Sequence, residues 1–392
     1  MTKLVRGASA VLAGCALALA FAAPARADAV RDSEWHVGFL HLAEAQRISQ
    51  GDGVTVAVID TGVDATHPDL QGNVLPGIDA WSPARDGHTD QRGHGTAMAS
   101  LIAGHGHGDG GRDGILGVAP KAKILPVAVF PPGSTDAQPQ YPPADLAAGI
   151  RWAADQGVQI INMSLGGSSD RRVQDAVNYA ASKGVVMVAA AGNLPDANEV
   201  NYPAAYEPVI AVSGIDRTGE FGSFSVSGRG VDLAAPGADI PGAIPGSGYF
   251  TASGTSNSTA IVSGVLALLK SKYPTLSPDQ LFQRLKATAI DKGPAGYDNQ
   301  YGWGVIDPLA ALTRDFGDTS SAPPSGSASS AAKAVAPAGS NTQPATGSTA
   351  TNPAVLAAVV TAAAIALVAV VITLVWLARR RRPSLSSGAP PS

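Results

Sequence analysis

The 392-residue sequence predicts an α/β domain built on a mostly parallel sheet, followed by one C-terminal transmembrane helix. Two observations predict the domain. Apolar, β-branched runs recur along the body of the chain, and helical patterns separate them. Runs without polar alternation belong to strands buried on both faces, and the helices between them supply the crossovers that parallel strands need. The third observation concerns the end of the chain, where residues 354–378 carry no charge. That stretch exceeds the ~20 residues a helix needs to cross a bilayer.

The elements follow in order. VTVAVID, residues 54–60, reads as a buried strand that ends on Asp60. RGHGTAMASLIAG, residues 92–104, reads as a helix opening on His94 between two glycines. AKILPVAVF (122–130) is the next strand and ADLAAGIRWAADQG (144–157) the next helix. VQIINMSL (158–165) and GVVMVAAAGN (184–193) are strands on either side of the helix RRVQDAVNYAASKG (171–184). VIAVSGI (209–215) reads as a further strand. SNSTAIVSGVLALLKSKY (256–273) and SPDQLFQRLKATA (277–289) close the domain as helices. Two stretches read as long exposed loops. GHGHGDGGRDG (104–114) has too many glycines to pack, and PPGSTDAQPQYPP (131–143) joins a strand to a helix. There is no internal repeat. Folds of this class present their sites at the C-terminal ends of the strands.

The ends of the chain read as processing and anchoring signals. Residues 1–27 combine a basic start, an apolar stretch and small residues at Ala25 and Ala27, the pattern of a secretory signal peptide cleaved after Ala27. A competing reading stays open, because Leu12 to Cys15 resembles a lipobox whose cysteine would be lipidated. Residues 28–50 form an N-terminal extension and residues 51–316 the main body. Residues 317–353, rich in Ser, Ala, Pro, Thr and Gly, form a flexible linker. Residues 354–378 span the membrane. The basic tail, residues 379–392, begins with Arg379 to Arg382 and faces the cytoplasm by the positive-inside rule. This places the body outside the cell membrane on a single pass.

Charge and cysteine usage narrow the chemistry. Seven of the 27 Lys and Arg residues lie in the two end segments, whereas all 31 Asp and Glu residues lie between them. The body is therefore acidic and has no electrostatic footprint for nucleic acid. Cys15 is the single cysteine, so a chain cleaved after Ala27 has no thiol. Disulfides, metal-thiolate sites and cysteine catalysis are then excluded.

Three positions carry the chemistry when read together. Asp60 at a strand end has a bland reading as a turn residue, His94 as a structural histidine, and Ser256 in GTSNSTAIVSG as a helix cap. A serine hydroxyl is a weak nucleophile, however, and needs a neutral imidazole to take its proton. The imidazole needs a carboxylate to fix its tautomer, and the developing oxyanion needs fixed donors. Asp60, His94 and Ser256 supply those groups. Asn193, ending AAAGN, supplies an amide donor, and the Ser256 N–H is a second candidate.

The joint pattern resembles the subtilisin-like serine peptidases across about residues 50–313. VAVIDTGVDATHPDL, GHGTAMASLIAG, LGVAPKAKILPV, INMSLGG, AAAGN, YPAAYEPVIAVSGID, DLAAPG, SGTS and YGWGVIDPLAAL match in order. The resemblance implies a three-layer fold. It implies that Asp60 orients, His94 is base then acid, Ser256 attacks and Asn193 binds the oxyanion. It also implies that Ser164, Leu165 and Gly166 pair with an extended protein or peptide substrate, and that Ala189, Ala190, Ala191 and Gly192 form one wall of the pocket before the cut. The chain departs from the family's G-T-S-x-A-x-P at Ser258 and Ala260, both still small.

The layout of signal peptide, peptidase body, linker, anchor and basic tail resembles the mycosins, membrane-anchored peptidases associated with type VII secretion. That likeness implies limited cleavage of secreted substrates and contact with the secretion machinery. The alternative is a structural component of such an assembly with little or no proteolysis. The short stretch after Ala27 leaves no room for a prodomain of full domain size, and residues 28–50 are expected on the domain surface. The absence of disulfides departs from many mycosins. His105, His107, Asp109 and Asp113 share a glycine-rich stretch, but no H-E-x-x-H pattern occurs. No cofactor and no metal site are expected, and no pattern places a structural calcium ion.

Overall fold

The first strand, β1 (Thr55–Asp60), shows how the layers arise. Val56 and Val58 point into one apolar core, and Ala57 and Ile59 point into another. Successive side chains leave opposite faces of a strand, so a run apolar at every position is covered on both sides. The computed structural model describes residues 29–131 and 141–316 of the chain.

Seven parallel strands make the central sheet, in the order β2-β5-β1-β6-β7-β8-β9. The other strands of this sheet are β2 (Ile78–Asp79), β5 (Lys123–Ala128), β6 (Ile160–Met163), β7 (Val186–Ala190), β8 (Ile210–Ile215) and β9 (Leu233–Pro236), and β1 pairs with β5 and β6. On one face lie α4 (His94–Ala103) and α7 (Thr255–Lys272), whose Met98, Leu101, Ile102, Val265 and Leu266 meet Val56 and Val58. On the other lie α5 (Pro143–Asp155) and α6 (Arg171–Ser182), whose Leu146, Ile150, Val173 and Val177 share a core with Ala57 and Ile59. The expected α/β fold with a mostly parallel sheet is thus observed. The predicted transmembrane helix, linker, tail and signal peptide lie outside the described residues. Among the described residues no helix is long and apolar enough to cross a membrane.

Helix α6 is amphipathic. Val173, Ala176, Val177 and Ala180 are its buried residues, and Asp170 caps it by accepting from Arg172 N. Helix α8 (Pro278–Thr288) opens with a full capping box between Ser277 and Gln280. Helix α7 differs, being buried almost all round from Thr255 to Leu269 with Ser256 half-buried in its first turn. Each fully buried Val or Leu there contributes about 1.5–3 kcal/mol of transfer free energy.

The extension contributes more than surface packing. It forms α1 (Ala29–Ser33), α2 (Trp35–Phe39) and α3 (Leu42–Ile48), and Leu40, Leu42 and Ala45 enter the same core as α4 and α7. Ser49 Oγ donates to Leu268 O at 2.8 Å, and Trp35 Nε1 to Ala238 O at 2.9 Å. The glycine-rich stretch expected as a loop instead folds as a hairpin, β3 (His105–His107) with β4 (Asp113–Leu116). Buried Asp69 organises it, accepting from His107 Nδ1 at 2.6 Å and from Ile115 N at 2.8 Å. Gly114 allows that approach, since a Cβ there would lie 2.2 Å from the Asp69 carboxylate. A second hairpin, β10 (Ile240–Ile244) with β11 (Gly248–Ala252), leads into α7, and α9 (Pro308–Thr313) packs beside α7 and α8.

Gly264 lies inside α7, where a Cβ would stand 2.6 Å from Val118 Cβ. Gly264→Ala gains about 1 kcal/mol of helix propensity but overpacks the core by about 1–3 kcal/mol. A lower urea midpoint is expected in a Ser256→Ala background, and a raised midpoint would show that the core has room.

Candidate active site

Asp60, His94, Ser256 and Asn193, with Ser164, Leu165, Gly166, Ala190 and Gly192, gather at the C-terminal edge of the parallel sheet. Asp60 is the last residue of β1 and fully buried. A buried carboxylate must be hydrogen-bonded to remain charged. It accepts from Thr61 N at 2.8 Å and faces His94 Nδ1 at 2.8 and 2.9 Å through its two oxygens. His94 is the first residue of α4, and its side chain is 39% exposed. The Nδ1 atom must carry the proton in a bond to a carboxylate, which leaves the Nε2 lone pair for a substrate-side proton.

Ser256, in the first turn of α7, lines the same cavity as His94, a cleft of about 350 Å³. Its Oγ donates to Ser164 O at 3.2 Å, and Ser164 Oγ donates back to Ser256 O at 2.9 Å. No hydrogen bond joins Ser256 to His94 among the described residues. Proton transfer therefore requires the hydroxyl to swing from Ser164 toward Nε2, in keeping with the loose geometry of sites without substrate.

Asn193 follows β7. Its Oδ1 accepts from Thr255 N at 2.9 Å and from Thr255 Oγ1 at 3.1 Å. With the oxygen so engaged, Nδ2 is the free end of the amide. A Cβ added to Gly254 would lie 3.4 Å from Asn193 Nδ2 and 3.9 Å from Ser256 N. Both expected donors thus lie within 3.9 Å of one point beside the serine. The absence of a side chain at Gly254 keeps that point open.

Ser164, Leu165 and Gly166, just beyond β6, line the cavity as expected, and so do Ala190 and Gly192. Ala189 and Ala191 do not. Their side chains alternate into the core with α5 and α6, so only every second residue of this run reaches the cleft. The family departures are accommodated. Ser258 is buried with its Oγ donating to Ala235 O at 3.0 Å and Pro236 O at 3.2 Å, and Ala260 is fully buried. Of the loop at 131–143, residues 132–140 lie outside the described residues. Phe130 and Tyr141 on either side of them pack edge to face at 5.4 Å and wall the cleft.

Sequence reasoning missed several residues of the site. Thr61, Thr255 and Asn201 reach it only through the fold, and Asp90 lies below the start of α4. The signal for Asp90 was an acidic side chain shortly before the helix start, a capping pattern. The His105, His107, Asp109 and Asp113 group carries no metal constellation. His107 is bound to Asp69, and His105 pairs with Gly106 O and Gln71 O. Among the described residues no group of three or more His, Cys, Asp or Glu side chains is arranged to hold a metal ion.

A subtilase family model matches residues 51–304. The chain belongs to the subtilase family. It is a subtilisin-like serine endopeptidase. A thermostable alkaline protease of Halalkalibacterium halodurans is 38% identical over 268 residues, 68% of this chain and 70% of that protein. The solved structure of MycP1 from Mycobacterium smegmatis is 34% identical with a TM-score of 0.62, covering 72% of this subtilase and 85% of that chain. Another solved structure is of a serine protease MycP1 described as an essential component of the type VII (ESX-1) secretion system. It is 36% identical with a TM-score of 0.61, covering 74% of this subtilase and 90% of that chain. The likeness to mycosins read from the layout therefore extends to the fold.

Burial pulls the subtilase's His94 imidazole down. The charge and hydrogen bond of Asp60, with the charge of Asp90 adding, outweigh burial and the opposing Arg92, so His94 stands above its ordinary value. In a Ser256→Ala variant, ring-proton NMR should give a His94 midpoint above about 6.5. Asp60→Asn should lower it, because removing a negative neighbour disfavours the imidazolium. A midpoint unmoved by Asp60→Asn would show that the pair is not electrostatically coupled.

Proposed function

We propose that this subtilase is an outward-facing, membrane-anchored endopeptidase that makes limited cuts in proteins handled by a type VII secretion system. The observation that carries the catalytic part is the Asp60–His94 pair opening onto the same cleft as Ser256 and the two convergent donors. An extended peptide lies along Ser164 to Gly166 as an added strand. Ser256 Oγ attacks the scissile carbonyl carbon while His94 Nε2 takes its proton. Asp60 holds the ring and stabilises the imidazolium. The carbonyl oxygen, now negative, receives hydrogen bonds from Asn193 Nδ2 and Ser256 N. His94 then protonates the leaving amine. The acyl-enzyme is hydrolysed by a water that His94 deprotonates in turn.

Support for the secretion link comes from the solved relative described as an essential component of the type VII (ESX-1) secretion system and from the end segments of the sequence. The anchor reading rests on residues 354–378 and the arginines after them. One observation favours a second reading, a scaffold of a secretion assembly with little proteolysis. The Ser256 hydroxyl rests on Ser164 O instead of His94.

A fluorophosphonate probe should label the full-length wild type and neither Ser256→Ala nor His94→Ala. A folded wild type that stays unlabelled would move the scaffold reading to first place. Asn193→Ala should lower kcat by about 10²–10³ with little change in KM, the loss known for the corresponding donor in subtilisin. Unchanged kcat would remove Asn193 from the oxyanion site. Fractionation should recover the full chain with membranes and a chain ending at residue 353 in the soluble fraction. Recovery of both in the same fraction would sink the anchor.

A further inference from the structure

We propose that Asp90 is a positioning residue of this subtilase, which locks His94 against Asp60 and adds a second negative charge to the imidazole's field. The inference rests on the triad reading above. Asp90 is 8% exposed and lies in the turn before α4. Among the described residues its carboxylate accepts five hydrogen bonds. Oδ1 receives Thr61 Oγ1 at 2.8 Å, Arg92 N at 3.0 Å and Gly93 N at 2.8 Å. Oδ2 receives Thr96 N at 2.9 Å and Thr96 Oγ1 at 2.7 Å.

These bonds join two segments distant in sequence. Gly93 to Thr96 is the first turn of the helix that carries His94, whose early N–H groups have no intrahelical acceptor. Gly93 itself offers no side-chain cap, and Asp90 takes that part. Thr61 follows Asp60 directly, and its Oγ1 accepts from Gly95 N at 2.9 Å while donating to Asp90. The strand end and the helix start are therefore clamped through one carboxylate, and the Asp60–His94 bond lies within the clamp. Thr96 Oγ1 extends the clamp by accepting from Asp64 N at 3.0 Å.

The charge has a consequence that a neutral cap lacks. Among the described residues, the charged groups acting on His94 are Asp60 from β1, Asp90 from the turn before α4, and Arg92 from the same turn. Asp196 and Tyr141 line the rest of the cleft, and the Asp64 carboxylate is turned to Thr66 and Gly246. Asp60 and Asp90 both favour the imidazolium, the form His94 takes in the transition state, and Arg92 opposes it.

The test compares Asp90→Asn with Thr61→Val in the full-length protein, by kcat, KM and pH profile on a peptide substrate. Fluorophosphonate titration counts competent sites in each. Asp90→Asn removes the charge, and Thr61→Val breaks the clamp but leaves the charge. The expected result is a kcat about 10- to 100-fold lower in both, with KM within about twofold, since small misplacements of a base are costly. The acidic limb of kcat/KM should move to lower pH in Asp90→Asn alone, because a base without that neighbour deprotonates at lower pH. An unmoved limb in Asp90→Asn, or an equal shift in both variants, would overturn the inference. If Asp90→Asn does not fold, Thr61→Val still decides, since an unchanged kcat there would break the clamp argument. His94→Ala serves as the control. Turnover surviving in it would sink the triad reading, whereas wild-type behaviour of Asp90→Asn beside a dead His94→Ala would sink only the role of Asp90.

Discussion

A buried carboxylate at the end of a parallel strand sets the terms for this molecule. Asp60 has no access to water, so its charge must be met by protein donors. Thr61 N and His94 Nδ1 meet it, and that requires the start of α4 to come down onto the end of β1. Gly95 allows the approach, since a Cβ there would lie 2.0 Å from Gly62 O. The helix start in turn needs acceptors for its N–H groups, and Asp90 and Thr61 supply them. Satisfying one charge therefore arranges the strand end, the helix start and the imidazole together.

The serine is held by a different device. Helix α7 is buried through most of its length, so its position follows from packing against the sheet. Polar side chains then refine that position. Ser263 Oγ donates to Asn162 Oδ1 at 3.0 Å, Asn162 Nδ2 donates to Ser164 Oγ at 3.0 Å, and Ser164 Oγ reaches Ser256 O. Ser258 ties the same helix to the end of β9. Each donor atom named in this network reaches an acceptor, so the network costs little of the burial free energy and fixes one arrangement.

The cleft between these two devices suits an extended peptide. Its floor carries small side chains at Ala190 and Gly192, and aromatic walls rise at Phe130 and Tyr141. The segment from Ser164 to Gly166 lies beside Ser256, where a peptide backbone would pair. Asn193 Nδ2 and Ser256 N both lie close to the open position beside Gly254, the kind of donor pair that an oxyanion needs.

The sequence by itself determined the architecture and the chemical groups. A strand buried on both faces has to be apolar throughout, and an amphipathic helix has to repeat at its own period, so β1, β5 to β8 and the helices α4 to α8 were legible from pattern alone. Asp60, His94, Ser256 and Asn193 were legible because serine chemistry needs those groups and each fell at a strand end or helix start. Only the tertiary structure decided which residues of a run face the cleft. Ala189 and Ala191 point into the core and Ala190 does not, a distinction set by strand pairing. It also decided that the glycine-rich stretch at 104–114 forms a hairpin, because buried Asp69 lies far from it in sequence and near it in space. A local capping pattern marks Asp90 only as an acceptor for the start of α4. Its five donors come from segments up to 29 residues away in the chain, and no local pattern records an acceptor shared across that distance.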